Sequence, residues 1–372
     1  MGGSRELPCR GWAQPQTNVV LATKGRYNVA VDPITQGTLG AAAALVFVGR
    51  RSPLRFSTQA WLGALSGMAP DLDVFIRSAS DPLLAIEYHR HFTHSLAFIP
   101  VGGVLTGLPF LALPALRPHW RSVLLVTTIG LGTHGLLDAC TTYGTLLWWP
   151  FSDHRASWNL ISIIDPWFTL PLLVAVIWAV KRRSAAIINT GFALAMLIMG
   201  YGFVQRERAS SVQRSVAASR GHVIERAMVM PSFANHQSYR SLYLAAGQVY
   251  VDKVRVPWFG PRCVSPGRAV PLAPPPADGL HPVAARGERL MRWFASDWVG
   301  YASEDPYVLG DLRYSFAPQD VEPIWGIRRV PVDAPPAQQD GVKWVNDNAR
   351  RKVSWAAFVE LVFEDAPDAT CF

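Results

Sequence analysis

Residues 87–116 read EYHRHFTHSLAFIPVGGVLTGLPFLALPAL. Three histidines, an arginine and a glutamate crowd into the first eight positions, and then no charge occurs over the 21 residues from Leu96 to Leu116. A helix of about 20 apolar residues crosses the hydrocarbon core of a bilayer. The fold class turns on this stretch, which joins a metal-seeking, protonatable cluster to the mouth of a membrane segment.

The apolar pattern continues on both sides. Residues 185–204 are also uncharged. Residues 122–143 span if His134 and Asp138 lie inside the bilayer, and residues 160–180 span if Asp165 does. Upstream, residues 37–49 and 58–69 look helical but are short, and read as a hairpin spanning with help from its flanks or partly inserted. The chain of 372 residues is 17% charged, against about 25% in ordinary soluble proteins. Charge returns to a soluble level after residue 205. The expected architecture is therefore an all-α polytopic membrane domain over residues 32–205, with about four spanning helices and a short helical hairpin. A small soluble α+β domain over residues 206–372 comes after it. Residues 1–31 form a polar extension without the apolar core of a signal peptide.

In the C-terminal part, residues 239–256 alternate around a glycine and predict a β-hairpin. The proline-rich residues 265–282 read as a loop, 283–296 and 354–364 as helices, and 306–316 and 322–332 as short strands. The four cysteines have no zinc-knuckle or CxxC spacing, and no disulfide framework is expected. The net charge of +8 lies largely beside apolar segments, where Lys and Arg set topology and meet anionic lipid. Without a basic stripe interleaved with aromatics, nucleic acid is not an expected partner, and membrane lipid is.

Loops 50–57, 117–121 and 181–184 carry eight basic residues and no acid. Loops 70–93 and 144–159 carry only Arg77, Arg90 and Arg155, with several acids. Helix parity puts these last two loops on one face with the C-terminal domain, and the excess of positive charge opposite makes that face periplasmic.

Ionisable side chains at membrane depth are costly and tend to be functional. Asp71 and Asp73 come after a helix that Pro70 should break, so an extended backbone would point both carboxylates one way. His89, His91 and His94 are next, with Thr93 as the expected cap of the next helix. His134 and Asp138, four apart, share one helical face. Taken singly, each has a plain structural explanation: acidic caps, solvated interfacial histidines, a packed His–Asp pair. Together they put mixed nitrogen and oxygen ligands on one membrane face, which suits Zn, with Mn or Fe possible, as one ion or two. Asp153, His154 and Arg155 read as an ordinary surface loop, Asp165 as a helix cap ahead of Pro166, and Trp148 and Trp149 as interfacial anchors.

The ordered motifs DPITQGTLGAAAAL (32–45), SGMAPDLDV (66–74), YHRHFTHSL (88–96), THGLLDACTTYGTLLWWPFSD (133–153) and IIDPWFTLPLL (163–173) resemble the bacterial YdjM-like family of inner-membrane proteins, described as metal-dependent hydrolases. The resemblance covers roughly residues 32–205. Its His/Asp pattern is similar to that of zinc-dependent phospholipases C and single-strand-specific nucleases. By that likeness Asp71, Asp73, His89, His94, His134 and Asp138 are the implied metal ligands or near-ligands, and Arg90 a holder of an anionic oxygen. One departure is Gln36, which stands where many members have a histidine after the threonine. The expected activity is hydrolysis of a phosphoester or other ester on a lipid or lipid-linked molecule. Metal-activated water would attack, Asp73 or Asp138 would act as general base, and Arg90 would stabilise charge. Two other classes compete: a metal or proton transporter, and a non-catalytic anchor for the C-terminal domain.

Overall fold

The structure is a computed structural model that describes residues 32–78, 81, 83–276, 282–303, 307–328, 343–346, 359 and 362–372. Helix α1 (Pro33–Phe47) is capped by Asp32, whose carboxylate accepts the Ile34 N–H, with Pro33 at the first helical position. It packs backbone to backbone against α2 (Phe56–Met68). A Cβ on Gly40 would lie 2.3 Å from the Gly63 carbonyl oxygen, so only glycine permits the approach. Small residues at such seams are how helices associate where apolar side chains gain nothing from leaving lipid.

The chain then makes a 3₁₀ turn, Ala69–Phe75, rather than the extended segment expected after Pro70. Proline lacks only an N–H that the first turn of a helix does not use, so it starts this turn instead of breaking it. Helix α3 (Leu84–Tyr88) and the 3₁₀ turn Phe92–His94 carry the histidine cluster. Ser95, not Thr93, caps the 3₁₀ turn Leu96–Phe98 by accepting the Phe98 N–H at 3.2 Å. Helix α4 (Ile99–Gly107) is shorter than residues 96–116 suggested, and gives way to a 3₁₀ turn over Leu108–Ala112, where Pro109 interrupts the α-helical ladder.

Helix α5 (Trp120–Cys140) crosses behind α2, and α6 (Pro166–Arg182) and α7 (Ala185–Ser219) complete the bundle. Two helical stretches, Arg117–Cys140 and Ala185–Ser219, are long and apolar enough to cross a membrane. A third crossing exists if Leu84–His94 and Leu96–Ala112, bent by 60°, act as one. α6 has 17 residues and an internal Pro171. The N-terminal region is thus helical with two to three candidate spans.

α7 does not stop where the sequence turns polar. Its 35 residues make a rod of about 52 Å, and its last turns lie on an antiparallel sheet. This sheet takes β1 (Arg226–Pro231), β2 (Ser238–Ala245), β3 (Gln248–Arg255) and β4 (Cys263–Pro271) in chain order. Gln213 Nε2 donates to the Met228 and Leu242 carbonyls, tying rod to sheet. The expected hairpin is β2–β3, closed by Ala246 and Gly247, both at positive φ, the backbone that matches a tight hairpin's twist. β4 enters the segment expected to be a proline-rich loop. Beyond Val264 no strand among the described residues pairs with its outer side, and there a missing proline donor costs no ladder bond.

Helix α8 (Pro282–Phe294) precedes a second sheet of β5 (Val299–Gly300), β6 (Val308–Asp311), β7 (Trp325–Arg328) and β8 (Lys343–Asn346). β9 (Thr370–Cys371) returns to β4, where a Cys263–Cys371 disulfide joins residues 108 apart. Spacing alone could not reveal that pair, so the expectation of no disulfide is corrected. The helix expected over 354–364 falls largely outside the described residues.

The two halves share a core. Leu83, Ile86 and Tyr143 from the membrane-side loops pack with Met291, Phe294, Val299, Leu309 and Ile327. Arg286 pairs with Asp81 and Glu87, and Trp293 Nε1 donates to the Asp153 carbonyl at 3.0 Å. Loops 70–93 and 144–159 therefore meet the same face of the C-terminal domain.

Candidate metal centre

Three segments converge below that interface. The 3₁₀ turn after α2 brings Asp71 and Asp73, the Tyr88–His94 stretch brings His89, Arg90 and His94, and α5 brings His134 and Asp138. Close approach is again made by glycine: a Cβ on Gly135 would stand 2.0 Å from the His94 carbonyl oxygen.

The hydrogen bonds fix the tautomers. His134 Nδ1 lies 2.6 Å from the Gly67 carbonyl, which can only accept, so Nδ1 carries the proton and, in the neutral ring, Nε2 a lone pair. The Thr93 hydroxyl donates to Asp73 Oδ2 at 3.1 Å, so it accepts from His94 Nδ1 at 2.9 Å. His94 Nε2 is then also a lone pair, 2.9 Å from that of His134. Asp71 Oδ1 lies 3.5 and 3.4 Å from these two nitrogens, and Asp138 Oδ2 lies 3.3 and 3.8 Å from them. Neither carboxylate oxygen receives a hydrogen bond from the described residues. Four lone-pair atoms facing one another repel unless positive charge sits between them. The Asp71, His94 and His134 atoms all lie within 4.8 Å of one another, near the edge of about 3.4 Å that a tetrahedron has when its metal–ligand bonds are about 2.0–2.1 Å. These three residues could hold a divalent cation, with Asp138 Oδ2 against both imidazoles.

Other side chains orient these four, as partners of metal ligands commonly do. Asp138 Oδ1 accepts from Gln36 Nε2 at 2.8 Å, and Oδ2 stands 3.1 Å from Arg90 Nε. Gln36 thus reaches the site as a donor to a ligand carboxylate. Asp73 accepts from the Arg90 N–H at 3.0 Å, contacts His89 Nδ1 at 2.8 Å and supports His94. Asp71, Asp73 and His89 form a second, overlapping group of potential ligands. Arg90 has φ 61°, a left-handed backbone rare outside glycine, held by Asp73 and by a bond from the Leu146 N–H to its carbonyl. His91 stands apart, against Trp149 at 5.8 Å between ring centres.

The surface-loop reading fails for Arg155, which is 3% exposed and stacks near Tyr143, Trp293 and Phe294. Burial pushes its guanidinium down to about 9. Burial also pushes the Tyr143 hydroxyl up, against the pull of Arg155 and Arg90. Sequence reasoning missed this cluster because half of it arrives from α8 and the strand after it. Asp153 and His154 are exposed as expected. Asp165 does cap α6, accepting the Phe168 N–H at 3.2 Å, and also lies 2.7 Å from His236 Nε2.

No solved structure matches this chain. The Escherichia coli (strain K12) inner membrane protein YbcI is 36% identical over 109 residues, 27% of this chain. The chain spans 60% of that relative's length. The model of the YdjM inner membrane protein family matches residues 31–209, which contain all seven converging side chains and Gln36. The membrane region of this chain, residues 31–209, belongs to the YdjM inner membrane protein family.

Proposed function

We propose that this protein is a membrane-bound metal-dependent hydrolase with one zinc-like ion held by Asp71, His94 and His134, with Asp138 beside the two imidazoles and one position left open for water. The observation that carries the reading is the meeting of ligand atoms from Asp71, His94 and His134 within 4.8 Å of one another, with Asp138 Oδ2 3.3 Å from His94 Nε2. Charge supports one divalent ion: three carboxylates, Asp71, Asp73 and Asp138, face one guanidinium, Arg90, and leave two negative charges with the imidazoles neutral. Zinc fits the mixed nitrogen and oxygen set, and Mn or Fe would fit it less tightly. When bound, such an ion lowers the pKa of a coordinated water towards 7 and polarises an ester oxygen.

The chain's own groups divide the remaining work. Asp73 positions: both its oxygens are committed to His89, Arg90 and Thr93, so it is a poor general base. Asp71 has a side chain 16% exposed while those of His94, His134 and Asp138 are sealed, so solvent and substrate approach from its side. Asp71 takes the proton, and Arg90 holds an anionic oxygen. The substrate we favour is a phosphoester on a lipid or lipid-linked molecule, because the site lies at the end of membrane helices. We place α6 among the spanning segments, for about four crossings in all, and the site and C-terminal domain in the periplasm. The basic loops opposite support that side, as does a disulfide, which persists in oxidising compartments.

The test is metal analysis of the purified protein, with His94→Ala and Asp138→Ala beside it. About one equivalent of metal in the wild type, falling to background in both variants, is expected. Equal metal in all three would refute the centre.

A further inference from the structure

We infer that Arg155, together with Arg313 and Arg90, forms a receptor for a phosphate-type oxyanion, so that the C-terminal domain completes the substrate site. This rests on the hydrolase reading for its purpose, though not for its geometry. Arg155 has one hydrogen bond, from Nη2 to the Gly144 carbonyl at 2.7 Å. Among the described residues its Nε and Nη1 have no partner, and no carboxylate pairs with it. A buried guanidinium cannot shed its charge at neutral pH as a lysine can, and an unpaired buried cation is among the most unfavourable arrangements in a fold.

The rings around it do not resolve this. Arg155 Cζ lies 5.9 Å from the Tyr143 ring centre, 4.9 Å from Trp293 and 5.3 Å from Phe294. Ring faces attract a cation but accept no conventional hydrogen bond from its in-plane N–H groups. Two neighbours repeat the pattern through shared rings. Arg90 Cζ lies 4.5 Å from Tyr143, and Arg313 Cζ 5.5 Å from Phe294. Asp311 neutralises Arg313 but leaves its Nη1 without a partner. Asp138 faces Arg90. Three guanidinium groups thus meet two carboxylates, and Arg155 carries the excess charge. An oxyanion with several acceptor oxygens supplies both the missing charge and the missing acceptors. An open cleft of about 550 Å³ between loop 146–153 and α8 shares Trp293 with this cluster; His91, Glu87 and Asp153 also line it, and the three arginines do not.

Phosphate chemistry can come from a soluble phosphoester or a lipid headgroup. Full-length protein, stripped of metal by chelation, is followed by thermal unfolding in detergent as inorganic phosphate is added. It is followed likewise in nanodiscs of phosphatidylcholine with and without phosphatidic acid. Phosphate should stabilise the wild type in detergent, and Arg155→Met should weaken that response at least about tenfold with metal binding unchanged. Without phosphate, Arg155→Met should be no less stable than the wild type, because it removes an uncompensated charge. Arg155→Lys should respond between the two. Loss of the phosphate response in phosphatidic acid discs assigns the site to a lipid headgroup, and its persistence there to a soluble phosphoester. Equal responses of the wild type and Arg155→Met overturn the receptor, as does no response in any arm. So does a phosphate-free Arg155→Met that is destabilised and phosphate-blind, the outcome of a purely structural clamp. Because the protein is metal-free throughout, failure here leaves the metal centre standing, and failure of the metal centre leaves this result standing.

Discussion

Replacing Gly135 by alanine adds one methyl group, on a residue that ligates nothing and lies one position beyond His134. That methyl would stand 2.0 Å from the His94 carbonyl oxygen and 2.9 Å from its carbon. Backbone atoms cannot rotate away, so the His94 segment must retreat by roughly 1 Å before contacts become ordinary. Metal–ligand distances tolerate about 0.2 Å. The retreat carries His94 Nε2 away from His134 Nε2, now 2.9 Å distant. Overpacking of this kind costs about 1–3 kcal/mol of stability, and displaced ligand geometry about 10–100-fold in metal affinity. The assay is zinc titration of chelated protein against a competing indicator, with unfolding followed separately. Gly132→Ala, one turn earlier on α5, is the internal control, since its Cβ would meet only Ile99 side-chain carbons at 3.4 and 3.6 Å. Zinc affinity unchanged in Gly135→Ala, or lowered equally in Gly132→Ala, would show that the seam between α5 and the His94 turn does not set the centre.

Gln36→Ala removes the donor to Asp138 Oδ1; zinc affinity should fall about tenfold, while Gln36→Glu, which adds a fourth carboxylate, should fall further in the same titration. Asp138→Asn takes away both a donor atom and the counter-charge of buried Arg90, so metal-free protein should lose about 3–5 kcal/mol in denaturant unfolding. Cys263→Ser should destabilise the C-terminal domain by about 2–5 kcal/mol, seen as a lower unfolding midpoint that reducing agent reproduces in the wild type. A reporter enzyme active only in the periplasm, fused after Phe372, should be active; inactivity there with activity of a cytoplasmic reporter reverses the orientation.

How much of the site is legible in the sequence depends on the range of the interaction. The meeting of PDLD, HRHFTH and THGLLD can be read because periodicity and parity place each on one membrane face. Their division of labour cannot. Asp71 and Asp73 look equivalent in sequence, yet the 3₁₀ turn aims Asp71 at the two imidazoles and Asp73 at His89 and the Arg90 amide. His89 resembles His94 in context, yet it lies on the far side of Asp73. Gln36 is visible as a departure from a pattern, but its bond to Asp138 spans 102 residues. Arg155 looks like a surface residue because the rings that bury it, Trp293 and Phe294, lie more than a hundred residues downstream. The disulfide escapes for the same reason.

The order of these residues along the chain has a temporal consequence. Every side chain that contributes a donor atom to the cluster lies between Asp71 and Asp138, and synthesis proceeds from the N-terminus. The cluster can therefore assemble, and on the proposed reading take up an ion, while the C-terminal domain is still on the ribosome. Arg313 and the α8 rings arrive last. On the proposed reading a nascent chain is loaded before it is armed: the ion would be seated at a stage when nothing yet grips a substrate beside it.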